Sequence, residues 1–464
     1  MKVVFVGGGA FRVLGIARGA LGEKGVLDGG EISLYDLNVP RAEAMARLIA
    51  KTPECIRANC KVTWGSSLEK ALVGADLVGV ILMAGSQRTF RLGDESSFKH
   101  GFLGSDNVSP NGAFLAIKGA PILLNVARKM EKLCPKAWLL DFANPVAVHS
   151  GMINNHTKIE AFGVCAGFTN HQWDLARIFG KDEQRTDFNV ETAGVNHLSF
   201  IVRGRVQGQD LFEALNRRLA RGVKVPKLQD QWSKAAKINI AGSVLTLDRF
   251  YRELGVLIFS TEGDGLAHLR YDEDLARFKK EFKPCTATQL EAHLKAGVEA
   301  RQQENQAFQA HLTKDLDAAF WRQQEGSGSW FQRQDHDIFV EIMRGRAGVR
   351  KVKVATSRLN NGAVEGFTDR TVLEYSQYIE NGRIRPAGHY AVPPVVHGLI
   401  SGLADHQTML GDALATDDPK LLAQALMAYP IQPYSQAARA LYKDLARINR
   451  DEIAPKLRRV TEYL

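Results

Sequence analysis

Up to about residue 145, the apolar positions fall into short continuous runs separated by stretches of helical periodicity. That pattern marks strands buried on both faces, alternating with covering helices. Lys2-Val3-Val4-Phe5-Val6 predicts a buried parallel strand, Gly7-Gly8-Gly9 a turn, 11–21 a helix, and 31–36 a second strand closed by Asp36. Further along, 62–64 reads as a strand and 67–73 as a helix capped by Ser66 or Ser67. A strongly apolar strand at 75–83, a long helix at 113–133 and a strand at 137–142 ending at Asn144-Pro145 complete the series. The segment 85–112 is polar and glycine-rich, and predicts a long loop that covers substrate. The fold class expected is α/β, with an N-terminal Rossmann-like doubly wound parallel sheet.

Beyond this the pattern changes. Apolar residues recur at helical spacing over 211–220, 290–312 and 421–445, with Pro430 and Pro433 splitting the last stretch. They predict a second, mixed α+β domain. At 464 residues the chain exceeds the size at which one core stops growing, so a division into 1–196 and 197–464 is expected. Gly326-Ser327-Gly328-Ser329 predicts a flexible loop tip.

Composition narrows the class. A hydrophobic fraction of 45% with 24% charged residues is that of a globular protein. The longest apolar stretch, 75–84, is interrupted by Asp76 and falls short of the roughly 20 residues a bilayer demands, so no membrane partner is expected. The chain opens on a strand without a signal-peptide pattern, and its five scattered cysteines suggest no disulfide framework; both point to a cytoplasmic protein. The net charge of +9 has its densest contributor at 344–353, read as a solvated hairpin. No aromatic residues are interleaved there for base stacking, and no nucleic-acid partner is expected.

The chemistry begins at the first strand. Glycines let a backbone approach a pyrophosphate, a helix N-terminus offers its N–H groups, and an Asp closing the second strand can bond ribose hydroxyls. Gly7, Gly9, Ala10, Phe11 and Asp36 therefore form a candidate dinucleotide site, although the third fingerprint position falls on Arg12. Asp36 favours NAD over NADP, and Arg41 nearby works against that preference. Ligands of such sheets gather beyond the strand carboxyl ends, which brings Asn144 and the 85–112 segment to one crevice. Arg88, Arg91, Asp94, Glu95 and Asp106 are the candidates there for polar contacts. Cys165 and His197 each end an apolar run. A thiolate and an imidazole can hold a divalent transition metal; the residue types equally suit a small core cysteine and a core histidine.

Gly7-Gly9 with Asp36, the run 91–95, Asn144-Pro145, Gly163-Val164-Cys165 and Gly194-Val195-Asn196-His197 stand in an order and spacing that resembles glycoside hydrolase family 4. These are NAD- and metal-dependent glycosidases outside the two-carboxylate mechanism. The similarity continues through 353–364, which with 371–374 resembles the family's late strand pair, and through 422–430. The resemblance implies that Cys165 and His197 are metal ligands, with manganese the expected ion. It implies substrate or cofactor contacts for Asn144 and Asn196, substrate contacts for Arg91 and Asp94, and a homodimer or homotetramer. Ala166 stands where relatives carry a polar residue, and Asp106, within Ser105-Asp106-Asn107, where relatives carry a Glu; Asp106 is the catalytic carboxyl expected. Tyr251, in a segment followed by Glu262 and Asp264, is the base that the resemblance implies; its spacing also suits an aromatic packed on Leu247 and Leu254. His171 reads as a helix-surface residue.

The implied reaction is redox-assisted elimination from a small-molecule glycoside. NAD oxidises sugar C3, the metal polarises the ketone, a base removes the C2 proton, the aglycone leaves C1, water adds and the hydride returns. An NAD-dependent 2-hydroxyacid dehydrogenase and a non-catalytic NAD-binding sensor are the alternatives. Accumulation of NADH separates the first, and binding without turnover the second.

Overall fold

The apolar run that opens the chain forms β1 (Lys2–Val6), whose Val3, Val4, Phe5 and Val6 are all buried because parallel strands flank it and helices cover both faces. The computed structural model describes residues 1–165, 175–179, 188–222, 234–259, 263–281, 285–312, 316–325 and 331–464. In it, β1 lies between β2 (Glu31–Tyr35) and β4 (Leu77–Val80). With β3 (Lys61–Gly65), β5 (Trp138–Asp141) and β6 (Glu160–Gly163), they form a parallel set in the order β6-β5-β4-β1-β2-β3. The Rossmann-like sheet expected from the apolar runs is present. Its connections carry α1 (Arg12–Gly22), α2 (Val39–Ala50), α3 (Pro53–Ala58), α4 (Leu68–Leu72), α5 (Gln87–Lys99), α6 (Pro110–Leu133) and α7 (Val146–His156).

The sheet continues through the second half of the chain. β11 (Val352–Leu359) pairs antiparallel with β6, β12 (Val372–Glu380) with β11, β7 (Phe188–Val195) with β12, and β8 (Leu198–Val206) with β7. β10 (Leu257–Ile258) closes that edge, while β9 (Gln209–Asp210) and β13 (Arg383–Pro386) pair off the main path. The boundary expected at 196/197 therefore falls in the turn between β7 and β8, inside one continuous sheet. Helices of the second half are α8 (Leu211–Ala220), α9 (Lys234–Leu254), α10 (Gly263–Ala267), α11 (Tyr271–Glu281), α12 (Ala287–Leu312), α13 (Ala318–Gln324), α14 (Ile338–Arg346), α15 (Pro394–Thr416), α16 (Pro419–Met427) and α17 (Gln436–Ile448).

Two expectations are corrected. The 85–112 segment is a helix, α5, followed by a short loop, rather than one long loop. Ser86 caps α5 by accepting from Thr89 N, and Gly93 is tolerated because a side chain there would overlap Asn111 of α6. The basic 344–353 run is no hairpin: it is the end of α14, a turn and the start of β11. Arg344 is buried, ion-paired with Glu23 and Glu341, and donates to the Asp335 carbonyl at 2.6 Å.

The two halves are locked together on α1. Gly15 and Gly19 form a groove for the chain at 332–334: a side chain at Gly19 would collide with the Gln334 backbone and one at Gly15 with the Gln334 side chain, and Gln334 N donates to Gly15 O at 3.1 Å. Beside it the guanidinium of Arg18, 2% exposed, is paired with Glu54 at 2.7 Å and Glu325 at 2.9 Å, and lies over the Trp321 ring. Removing one partner of a buried pair strands the other charge, which costs about 3–5 kcal/mol. Arg18→Met is accordingly expected to lower the unfolding free energy by roughly 3 kcal/mol. Chemical denaturation would measure it, and a change within about 0.5 kcal/mol, as at surface positions, would refute the burial argument.

Candidate active site

One row of paired residues crosses nine strands of the sheet: Tyr35, Val6, Val80, Asp141, Gly163, Ser357, Glu374, Gly194 and Ser199 are successive partners. Gly7, Gly9, Asp36, Asn144, Cys165, Asn196 and His197 depart from it within three positions, whereas Ala10, Phe11, Arg91, Asp94, Asp106 and Tyr251 do not. Asp36 follows Tyr35, Gly7 follows Val6, Asn144 follows Asp141, Cys165 follows Gly163, and Asn196-His197 follow Gly194. The register thus arrays along one line a set of groups scattered over 200 residues of sequence.

At β1 the turn is built for close approach. Gly7 has φ +87° and a side chain there would overlap the Ile81 carbonyl. Gly7 N and Gly8 N both donate to Tyr35 O at 2.9 Å, and Gly9 N donates to Asp36 Oδ2 at 2.9 Å. Asn38 N donates to the other Asp36 oxygen, so the carboxylate is fixed at the turn. Arg41 donates from Nε to Gly9 O at 2.6 Å and lays its guanidinium over the Phe11 ring. Ala10 N closes the turn onto Gly7 O. Arg12, at the third fingerprint position, reaches away to Asp337 at 2.6 Å and covers Phe142, which explains why that position is not glycine. Leu37 after β2 and Met83 after β4 are 84% and 49% exposed, two apolar side chains flanking the end of β1. Neither was singled out in the sequence.

The crevice floor is a chain of amides. Asn196 Nδ2 donates to Glu374 at 2.7 Å, Asn107 Nδ2 donates to Asn196 Oδ1 at 2.6 Å and lies 3.4 Å from Asn144 Oδ1, and Asn144 Nδ2 donates to Asp106 at 3.0 Å. Asn144 is set by a buried clamp: Asp141 accepts from Ala143 N at 2.8 Å and faces His149 Nδ1 at 3.1 Å. Burial raises the Asp141 carboxyl, while the His149 contact works against that rise. Next to the amides, Cys165 Sγ and His197 Nε2 approach to 3.5 Å. His197 has φ +65° in the two-residue turn joining β7 to β8, and α10 is packed so closely on it that a side chain at Gly265 would overlap the His197 carbonyl. Among the described residues no cluster of three or more metal-binding side chains occurs.

The structure therefore groups Asp106, Asn144, Cys165, Asn196 and His197, with Gly7, Gly9, Ala10, Phe11 and Asp36 at the adjoining turn. Arg91 and Asp94 lie on α5, at the α6 side of the crevice. Tyr251 is not brought to this group: its hydroxyl donates to Asn216 of α8 at 2.9 Å and its ring stacks on Phe212. Burial raises its pKa, contrary to the lowering expected of a base. Ala166, His171, Glu262 and 326–329 lie outside the described residues, as does the Asp264 side chain. Asn107 and Glu374 were missed as site residues. An acid inside the apolar strand Val372-Leu373-Glu374-Tyr375 was the one signal for Glu374, since such a carboxylate must find a buried partner.

The chain is similar to known proteins over most of its length. The family 4 glycosyl hydrolase profile matches residues 2–181, and that of the family 4 glycosyl hydrolase C-terminal domain matches 192–431. An α-galacturonidase of Thermoanaerobacter italicus is 24% identical over 421 residues, 86% of this chain and 85% of the relative. A probable 6-phospho-β-glucosidase of Bacillus subtilis is 21% identical over 453 residues, 96% of this chain and 95% of the relative. The structure of a Thermotoga maritima 6-phospho-β-glucosidase with manganese, NAD+ and glucose-6-phosphate has a TM-score of 0.73 at 17% identity, covering 98% and 99% of the two chains. A 6-phospho-α-glucosidase from gut microorganisms, in complex with NAD and Mn2+, has a TM-score of 0.78 at 14% identity over 97% and 98%. These two structures share the fold.

Asp94 is the group whose acidity the site alters most usefully. Burial lifts its carboxyl to about 6 and nearby Asp106 adds to the rise, against a 2.8 Å hydrogen bond from Asn111 and the charge of Arg91. An unfolded Asp titrates near 3.9. The folded protein binds this proton more tightly, so the contribution to stability is full below about pH 4 and is lost as pH rises through about 6. The difference in thermal midpoint between the wild type and Asp94→Asn is therefore expected to grow at the wild type's expense across that window. Parallel curves would show that Asp94 titrates normally.

Proposed function

The chain belongs to glycosyl hydrolase family 4, and from that premise we propose that it cleaves an anionic O-glycoside by oxidation at sugar C3 and elimination across C1 and C2. The observation that carries this reading is the approach of Cys165 Sγ and His197 Nε2 to 3.5 Å beside the amide chain. Two borderline donors, with the other coordination positions left to sugar oxygens, fit manganese or another divalent transition ion. NAD fits the β1 turn, where Gly7 leaves room for a phosphate, Asp36 is fixed for ribose, and Leu37 and Met83 offer apolar surface to a planar base. When bound, NAD supplies reversible hydride uptake and the metal supplies Lewis acidity toward the C2 proton.

The chain's own groups do the rest. Asn196 and Asn107 have each donated or accepted within the network, so their orientation is fixed before the sugar arrives. Asp106, exposed and held by Asn144, is the group of this reading that moves a proton. Asp94 beside it, pushed up to about 6, takes up a second proton in the same pocket as the pH falls through that value. Arg91, exposed on α5 with no carboxylate at ion-pair distance among the described residues, suits an anionic substituent on the sugar. Relatives named α-galacturonidase and 6-phospho-β-glucosidase are consistent with a uronate or a 6-phosphate. A homodimer or homotetramer acting in the cytoplasm belongs to the same reading.

A screen of aryl uronides and aryl 6-phospho-glycosides with NAD and manganese tests it. Solvent deuterium is expected at C2 of the product, without net NADH. Cys165→Ser and His197→Ala should each lower metal-stimulated turnover by more than about 100-fold. Hydrolysis without C2 exchange, or a stoichiometric build-up of NADH, would overturn the mechanism, the second outcome in favour of a dehydrogenase.

A further inference from the structure

Helix α12 is unlike the others. It has 26 residues, yet among its described side chains only Leu290 and Phe308 are buried, about 27 Å apart at 1.5 Å per residue. Phe308 packs edge-on against Phe11 of the β1 turn, ring centroids 5.4 Å apart, on the ring that Arg41 also covers. At that end Lys51, the C-cap of α2, donates to Leu312 O at 2.9 Å. At the opposite end Glu291 forms an ion pair with Arg88 of α5. Since α5 follows β4, α2 follows β2, and β1 lies between them, a helix anchored on both must pass over the carboxyl end of β1.

We propose that α12 is a strap that retains the dinucleotide. The idea rests on the NAD reading given above and extends it: in a reaction that returns its hydride within each turnover, the cofactor need not leave. The anchoring is suited to opening. Among the described residues the helix is held at its ends, by Phe308 on Phe11, His311 beside Phe320 and Phe331, Lys51 on Leu312 O, the buried Leu290 and the exposed Arg88–Glu291 pair. No described side chain between Leu290 and Phe308 is buried, and a segment with so little buried apolar surface opens at low free-energy cost. A strap that blocks the passage without gripping the ligand slows entry and release by the same factor, leaving affinity unchanged.

Stopped-flow fluorescence of NADH with the full chain tests this. In Phe308→Ala, association and release should both quicken by about tenfold, with Kd within about twofold of wild type, as expected for loss of an aromatic anchor. Lys51→Met and Glu291→Gln alter exposed side chains that do not threaten folding, and each should quicken both rates by about two- to fourfold. Raised ionic strength should speed release from the wild type but not from Glu291→Gln. Unchanged rates in the two surface variants would overturn the strap. So would a Phe308→Ala protein with faster release at unaltered association, because Phe308 would then only brace Phe11. A wild type that binds no NADH would bring down the NAD reading itself, and the strap with it.

Discussion

The site depends on strand register. From Tyr35 to Ser199 a single row of paired residues runs through parallel and antiparallel strands alike, and the chemistry hangs from it. A slip of one residue at any pairing would exchange the two faces of a strand and unseat its side chains from the neighbours packed on each, so the hydrophobic core polices the register and, through it, the position of each functional group. Gly163 is essential to this, because a side chain there would collide with Val146 O and Ser357, where the parallel and antiparallel halves meet. With a twist of roughly 20–25° per strand, three further steps turn β7 well away from β6. The β7–β8 turn nonetheless brings His197 Nε2 to 3.5 Å from Cys165 Sγ.

Uncharged amides form most of the crevice floor, and this has a physical reason. Buried carboxylates without partners would be costly, whereas an amide can accept on one side and donate on the other, passing orientation along a chain. Glu374 ends that chain with a carboxylate held by Asn196, and Asp106 ends the other, exposed, side. The Asp141–His149 pair beneath them is fully buried and fixes the Ala143-Asn144 peptide; it has no open path to substrate and acts through Asn144.

Much of this was readable along the chain, because local patterns report local facts. The two-sided burial of β1 and β4 writes continuous apolar runs, and the glycine turn and Asp36 declare themselves through backbone needs. Cys165 and His197 were visible as chemistry at strand ends. Helix α5 was not visible: it is amphipathic around small and polar residues that pack on α6, so its buried face, Gly93, Ser96 and Ser97, carries no apolar signal. The joining of both halves into one sheet rests on pairings between residues nearly 200 apart, which no window of sequence contains. Tyr251 failed for a related reason. Its periodicity was read correctly as an amphipathic helix, but which neighbour the ring meets, Phe212 rather than the metal pair, is settled by tertiary packing.

Charge balance ties the acidity of Asp94 to the anionic substrate proposed. Asp106 adds to the rise of Asp94, and the carboxylate or phosphate of the proposed substrate would bring further negative charge. Asp94 is still mostly ionised at neutral pH, but burial lifts it to about 6, so a modest added negative potential brings its protonation within reach. An anion seated near Arg91 would remove the one positive influence acting on Asp94 and raise its proton affinity again. Substrate arrival would thereby draw a proton into the pocket beside Asp106, where a reaction lacking a polar residue at Ala166 has most use for one.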